Sequence, residues 1–371
     1  MSFLSSSSAV RYRPYYTSSF DHFYAEESVA EHPAVLRARE VAPDIPFERL
    51  SSREEVPAEH RRARTLLAVG GRGNAVGRCP GTRGHICCNY LTVDLYTGCN
   101  LGCSYCIMQS YLNFSPITVR IDTQDSVARL AHIARLNTGR LVRAGTGETG
   151  DSLWLDPLFN LSAEILEGIR EYPNLILELK TKTDFVDHLL GQVDPAQVVF
   201  GFSLNPTQFA EVEEPATVPP AMRLAAAERA VQAGYRVAFH FDPIVRSEAT
   251  AEAYALLCAE LGRFPSEQIA WISMGTIRYP KELRDALPDR PYLLDEFVPA
   301  RDGKYRYLQR DRVELYQAML KQLRAGTSAP VYLCMESDVV WRRVFGGEPQ
   351  ELAELRSLFE DVEVPSVGEL P

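Results

Sequence analysis

A partial (β/α)6 TIM-like barrel, carrying an N-terminal extension and a C-terminal appendage, is the fold class that this 371-residue sequence predicts. Three observations lead there. Six short β-rich runs alternate with amphipathic helical stretches, which implies parallel strands joined by right-handed crossovers. Polar and cysteine residues fall immediately after strand ends in several different units, as when a barrel mouth gathers a site from the C-terminal ends of its strands. At 46% hydrophobic residues the chain can bury a full core. A doubly wound sheet fits the alternation equally well; the placement of the cysteines and polar groups decides for the barrel.

Taken in order, residues 1–45 begin with a serine run and show no sustained period, which predicts a poorly ordered start. SSREEVPAEHRRARTLLAV (51–69) carries mixed helical signal, and the glycine-rich GGRGNAVGRCPG follows. Together these make residues 1–90 an N-terminal extension. The barrel spans 91–280, with strands expected at LTVDLY (91–96), RLVRAG (140–145), LILELK (175–180), QVVFGFS (197–203), RVAFHF (236–241) and IAWISM (269–274). Between them Val127, Leu130 and Ile133, then Leu161, Ile165, Leu166 and Ile169, keep helical spacing, and Gly234 is a natural helix stop. Residues 281–371 read as an appendage with a helix and one added strand.

No apolar run approaches the ~20 residues of a membrane span, and the first residues lack a secretory hydrophobic centre, so the expected address is the cytoplasm. The net charge of −10 argues against a protein that tracks nucleic-acid phosphates, which needs a basic stripe. Eight cysteines in a chain this long are too sparse for a disulfide scaffold, and a close group of them points to metal or catalysis. Cys258 and Cys334 sit in apolar stretches and read as buried core thiols.

The close group is GCNLGCSYCIMQSY (98–111), which sets Cys99, Cys103 and Cys106 in a C-x3-C-x2-C spacing just after the first barrel strand. Thiolates in such a run suit iron–sulfur ligation, and three of them leave one iron open. A structural zinc site closes with four ligands; here it would have to recruit Cys87 or Cys88. Cys79, Cys87 and Cys88, in RCPGTRGHICCNY (78–90), are a second group that could hold a further cluster, supply a thiol to the site, or pack beneath the barrel.

With Tyr105 ahead of the last cysteine, this loop resembles the signature of the radical S-adenosylmethionine (SAM) enzymes. The resemblance implies a [4Fe–4S] cluster on Cys99, Cys103 and Cys106, with SAM chelating the open iron. It also implies a 5′-deoxyadenosyl radical that abstracts a substrate hydrogen, and an electron donor such as flavodoxin or ferredoxin. YCIMQSYLN, ITVRIDTQDSV, KTKTDFVDHLL, FGFSLN with EEPAT downstream, and ERAVQAGYRVAFHFDPIV occur in order over residues 64–280. They resemble the spore photoproduct lyase branch. By that resemblance Lys182 and Ser203 contact the SAM methionine group, with Asn205 beside them. Gly145, Gly147 and Glu148, in RAGTGETGDS, match a glycine–glycine–glutamate element in which glycines admit the cofactor and a polar group takes the methionine ammonium.

Two positions depart from the lyases. The loop cysteine that returns a hydrogen atom in that branch is replaced by Glu148, and the tyrosine after the last cluster cysteine by Ile107. The expected function is therefore bond cleavage or rearrangement in a substrate other than duplex DNA, first a ribosomally made peptide presented with a small peptide-binding partner protein. Photolesion repair by a variant hydrogen relay is the alternative, and a non-catalytic iron–sulfur binding or redox protein a third reading.

Overall fold

A computed structural model describes residues 11–366 except 72–74, 82–83, 113–114, 248–249 and 288. Its centre is an eight-stranded sheet of order β16-β12-β11-β10-β9-β8-β5-β4. The members are β4 (Val76–Arg78), β5 (Leu91–Val93), β8 (Val142–Gly145), β9 (Leu175–Thr181), β10 (Val198–Ser203), β11 (Arg236–Ile244), β12 (Ile269–Thr276) and β16 (Val331–Leu333). All neighbours pair in parallel except β4 with β5. The six expected strands are all present. They are found because parallel strands buried on both faces read as continuous apolar runs, and β9 through β12 are buried along nearly their whole length.

The sheet is curled. Arg143 on β8 and Trp271 on β12 have three strands between them in the sheet order, yet the guanidinium lies 5.0 Å from the indole ring centre. Only a concave sheet lets these side chains meet, so the half-barrel has an interior lined from opposite walls. Helices cover its outside: Gln124–Leu136 before β8, Leu161–Gly168 before β9, Pro220–Gln232 before β11, Thr250–Glu260 before β12 and Gln309–Gly326 before β16. The connection from β9 to β10 is a run of turns instead of a helix.

The N-terminal part differs from the expectation. Residues 1–10, with the serine run, lie outside the described residues. Residues 11–45 form the helices Arg13–Ser19 and Pro33–Val41 around β1 (His22–Glu26), and Tyr12, Tyr16 and Phe20 are buried against the barrel. After β2 (Phe47–Leu50), the stretch 51–69 where mixed helical signal was read forms two single-turn 3-10 helices, Arg53–Glu55 and Ala58–His60, and then β3 (Thr65–Val69). The run TLLAV is a nearly fully buried strand, for which period is uninformative. With β6 (Tyr96–Thr97) and β7 (Ile117–Arg120) these strands build a second sheet, β2-β1-β3-β7-β6. The expected strand 91–96 is thus split: β5 belongs to the barrel and β6 to the second sheet, and the chain crosses between them just before the cysteine loop.

Beyond β12, β13 (Arg278–Pro280), β14 (Phe297–Pro299) and β15 (Lys304–Tyr307) form a small antiparallel sheet. Residues 281–371 thus hold three strands among the described residues where one was expected: β14 and β15 in this small sheet, and β16, which extends the barrel. Among the described residues no helix is long and apolar enough to cross a membrane.

Candidate functional site

The loop 98–111 sits over the C-terminal ends of β9 and β10, and its shape is set first by its glycines. Gly98 and Gly102 have φ of 91° and 69°, a region where a Cβ is strained, so the chain can reverse twice between β6 and Cys103. Cys106 donates its N–H to the Cys103 carbonyl at 3.2 Å. Burial pushes the Cys99 thiol well up, and the Cys103 thiol up to about 12 against the opposing pull of Lys182.

The loop is gripped from one side by a segment that the sequence reading quoted only as part of a resemblance. Ser104 N–H donates to the Glu213 carbonyl at 2.9 Å, and the Ser104 hydroxyl to the Glu213 carboxylate. Arg290 meets the other Glu213 oxygen at 2.5 Å. The Tyr105 hydroxyl donates to Glu214, and Ala216 N–H to the Leu101 carbonyl at 3.2 Å. Glu214 is itself held by Arg223 at 2.5 Å and by the Asn205 amide at 2.9 Å. Burial alone would raise the Glu214 carboxyl; Arg223 and Lys182 outweigh it and hold it below its ordinary value. Sequence reasoning missed Glu213, Glu214 and Arg223. The available signal was a pair of adjacent acids about ten residues past a predicted strand, with an arginine nine residues beyond the second acid.

Each expected site residue has a definite place. Lys182, just past β9, holds its ammonium 5.8 Å from the Tyr105 ring centre. Ser203, 5% exposed, ends β10, and its carbonyl accepts from Arg223 at 2.9 Å. Asn205 is fully buried and has both ends of its amide engaged, donating to Glu214 and accepting from Tyr254 at 3.0 Å. Gly145 and Gly147 are required by protein packing as they stand. A Cβ on Gly145 would lie 1.6 Å from the Tyr90 hydroxyl, and one on Gly147 would lie 3.0 Å from Lys180 and Ser152. Glu148 faces Lys180 at 4.0 Å, one wall across. Cys258 is buried as expected, whereas Cys334 is half-buried and faces Arg278. The apolar run around Cys334 is β16, whose last step turns its thiol toward the barrel mouth.

Beneath this mouth lies a polar floor. Glu178 on β9 accepts from His240 on β11 at 2.6 Å and from the Trp271 indole at 3.0 Å, and Ser273 meets the other ring nitrogen of His240 at 2.6 Å. The intervening strand makes this possible by carrying Gly201, where a Cβ would come within 2.8 Å of Glu178 and 3.0 Å of His240.

Two donor sets can therefore be tested for fit. The loop offers three thiols and no imidazole. Among the described residues no three His, Cys, Asp or Glu side chains converge on a position for a single metal ion. Thiolates in a short run are the donors that iron–sulfur clusters take, so the chemistry of the donor set fits such a group. Beside it, the loop 146–152 buries the hydroxyls of Thr146 and Ser152 with no hydrogen-bond partner, next to Lys182. Buried unpaired hydroxyls call for a polar occupant. Asp151 holds that loop rigid by accepting from Thr181 and from the N–H groups of Lys182, Leu153 and Trp154.

The curled half-barrel with a three-thiol loop at its mouth defines the class: a partial (β/α) barrel built to carry an iron–sulfur group. The comparisons make it specific. A family profile described as spore photoproduct lyase matches residues 83–281, more than half of the chain, and the chain belongs to the spore photoproduct lyase family. It is 30% identical over 172 residues to the spore photoproduct lyase of Geobacillus sp. (strain Y412MC61), covering 46% of this chain and 50% of that one. To the spore photoproduct lyase of Bacillus subtilis (strain 168) it is 27% identical over 170 residues, again 46% and 50%. The matched region spans about half the length of these curated relatives. A solved structure of spore photoproduct lyase complexed with dinucleoside spore photoproduct superposes with a TM-score of 0.72 at 23% identity, covering 85% of this chain and 98% of that chain. A mutant of the lyase with bound AdoMet and the same lesion gives 0.72 at 23%, with the same coverage. These likenesses establish the half-barrel fold.

Proposed function

We propose that the protein is a radical SAM enzyme of the lyase type, with a [4Fe–4S] cluster on Cys99, Cys103 and Cys106 and SAM in the pocket beside it. The observation that carries this reading is the three-thiol loop clasped at the barrel mouth against Glu213 and Glu214. When bound, the cluster supplies the electron that splits SAM into methionine and a 5′-deoxyadenosyl radical, which takes a hydrogen atom from the substrate.

The chain's own residues then have separate tasks. Lys182 offers its ammonium to the methionine carboxylate, and Glu148 its carboxylate to the methionine ammonium. Thr146, Ser152 and Ser203 offer hydroxyls, while Gly145 and Gly147 keep the wall low. Tyr105 and Asn205 act through Glu214, fixing the loop. The Glu178–His240–Ser273 network seals the floor, and its satisfied hydrogen bonds keep water from entering from below.

For the substrate, the names of the relatives support a DNA photolesion. A ribosomally made peptide, delivered with a small binding partner, is the second reading. Glu148 and Ile107 favour it, since neither side chain can return a hydrogen atom to a lesion radical at useful cost. In both cases the reductant is a flavodoxin or ferredoxin in the cytoplasm.

The test reconstitutes the cluster anaerobically, adds SAM and reductant, and offers deuterated dinucleotide spore photoproduct or candidate peptides. Deuterium in 5′-deoxyadenosine from the lesion, with thymine released over many turnovers, establishes repair. Transfer only from a peptide establishes the second reading. No SAM cleavage with a full iron complement overturns the enzyme reading and leaves a cluster-bearing redox protein.

A further inference from the structure

The half-barrel is open between its two sheet edges, β16 and β4. After a single 3-10 turn at Arg356–Leu358, residues 359–365 cross that opening with neither helix nor strand of their own. The Phe359 ring packs 5.6 Å from Tyr332 on β16 and 5.4 Å from Trp341, and the Val362 carbonyl accepts from Arg78 on β4. The segment covers the side that the sheet leaves open.

It is held in an unusual way for part of a fold. Among the described residues, the main chain of 360–365 makes no hydrogen bond to another main-chain group, and β4 beside it pairs with β5 alone. Side chains hold it instead. Arg143 donates to the Leu358 carbonyl at 2.8 Å, Asn89 to those of Phe359 and Glu360 at 3.3 and 3.1 Å, Arg140 to that of Asp361 at 3.1 Å and Arg129 to that of Pro365 at 2.8 Å. Asn137 grips Glu363 twice, donating to its carbonyl at 2.9 Å and accepting its N–H at 2.8 Å. One amide meets both main-chain groups of a residue only where that residue is extended, and it touches nothing of the side chain.

Selection lies in the side chains of the segment. Phe359 and Val362 are each 2% exposed, whereas Glu360, Asp361 and Glu363 are open to solvent. Glu360 lies 3.3 Å from Arg140 and Asp361 3.7 Å from Arg78, so an acidic segment meets a cationic wall. A surface cavity of ≈ 650 Å³, lined in part by Asn89, Arg356, Phe359 and Asp361, opens beside it. Main-chain bonds for affinity and two apolar anchors for register are the means by which a groove takes a separate extended peptide.

We infer that this groove is a docking site for an extended acidic peptide with two apolar anchors three residues apart, and that residues 358–365 are its displaceable occupant. A partner segment of the same chemistry takes the same asparagine and arginine donors, and the chain's own segment leaves. The donors come from Arg78, Asn89, Arg129, Asn137, Arg140 and Arg143, none of which belongs to the cysteine loop or the cofactor wall. Docking therefore requires neither cluster nor SAM, and it stands apart from the reading of the reaction.

The probe is the fluorescein-labelled peptide LFEDVEVP, the sequence of residues 358–365, titrated by fluorescence anisotropy into the full chain and into its Val362→Asp variant. A carboxylate at the buried anchor ejects the chain's own segment, so the variant should bind the probe. The parent chain should bind it at least about tenfold more weakly, because its own segment competes at an effective concentration on the order of millimolar. A probe with aspartate in place of its first valine should bind neither protein. Asn137→Ala, added to Val362→Asp, should weaken probe binding at least about tenfold. Thermal melts followed by circular dichroism establish that each variant folds. The unmodified chain gives a second measurement: excess unlabelled peptide should speed deuterium uptake in the fragment that holds Glu363, whose amide Asn137 engages. No probe binding by a folded Val362→Asp variant, equal binding by parent and variant, indifference to Asn137→Ala, or unchanged uptake at saturating peptide would overturn the proposal.

Discussion

Arg223 and Glu214 form an ion pair at 2.5 Å with both side chains entirely buried, and the Glu214 carboxylate is also the acceptor for Tyr105 of the cysteine loop. Removing one member of such a pair leaves a charge without compensation. Arg223→Ala should therefore cost about 3–5 kcal/mol in urea unfolding and lower the iron retained after reconstitution. Adding Glu214→Gln to that variant should recover part of the stability, because a neutral amide needs no counter-charge. Equal stability of Arg223→Ala and the parent chain would remove the pair from the account of the loop.

Gly145 is the second position with a defined steric demand. The Tyr90 hydroxyl occupies the place of its Cβ, and the Glu178 carbonyl stands 2.9 Å away on the backbone side. Gly145→Ala should destabilise by about 1–3 kcal/mol or more, as overpacked cores do. Tyr90→Ala, in the same chain, should relieve the tyrosine share, so the double-mutant cycle is strongly non-additive. Additive losses would mean that Tyr90 is not the obstacle.

The floor of the barrel gives a pH dependence. Burial would raise the Glu178 carboxyl, but His240 outweighs it and brings it from its ordinary 4.5 down to about 2. A carboxylate depressed in the folded state adds stability above its unfolded value and loses that contribution as pH falls through the folded one. Denaturant unfolding of the parent chain should weaken progressively between about pH 4.5 and 2, and Glu178→Gln should lack this component of the slope. Parallel pH profiles for the two proteins would refute the assignment.

The cofactor wall can be separated from the cluster loop. Lys182→Met and Glu148→Gln should each weaken SAM binding about tenfold, or about 1.4 kcal/mol, measured by equilibrium dialysis, with iron content unchanged. Unchanged SAM affinity in Glu148→Gln would return that carboxylate to its role as partner of Lys180.

How far the sequence could be read depended on the kind of contact involved. The barrel strands were legible because each carries a local apolar run, and the loop of Cys99, Cys103 and Cys106 stood out because its spacing is itself local. β1, β2 and β3 were not: they are four or five residues long, and their pairing joins segments more than twenty residues apart. Glu213 and Arg290 look like ordinary surface charges until the fold brings them to Ser104. Gly145 was legible as a special position but for another reason, since the phenol that demands a glycine there comes from Tyr90, ahead of the first barrel strand. Cys334 was read as core because its neighbours are apolar, but it lies just past the end of β16, where the thiol meets Arg278.

The clasp on the cysteine loop also sets an order of events during biosynthesis. Ser104 meets Glu213, which in turn meets Arg290, so the grip on the loop is assembled from three stretches spread over nearly two hundred residues. A ribosome that has released only the first half of the barrel has made all three cluster cysteines but none of their anchors. Iron delivered at that stage would find a loose loop. The finished clasp exists only after residue 290 has emerged and folded back, so on the proposed function the cluster would be loaded onto a barrel already translated.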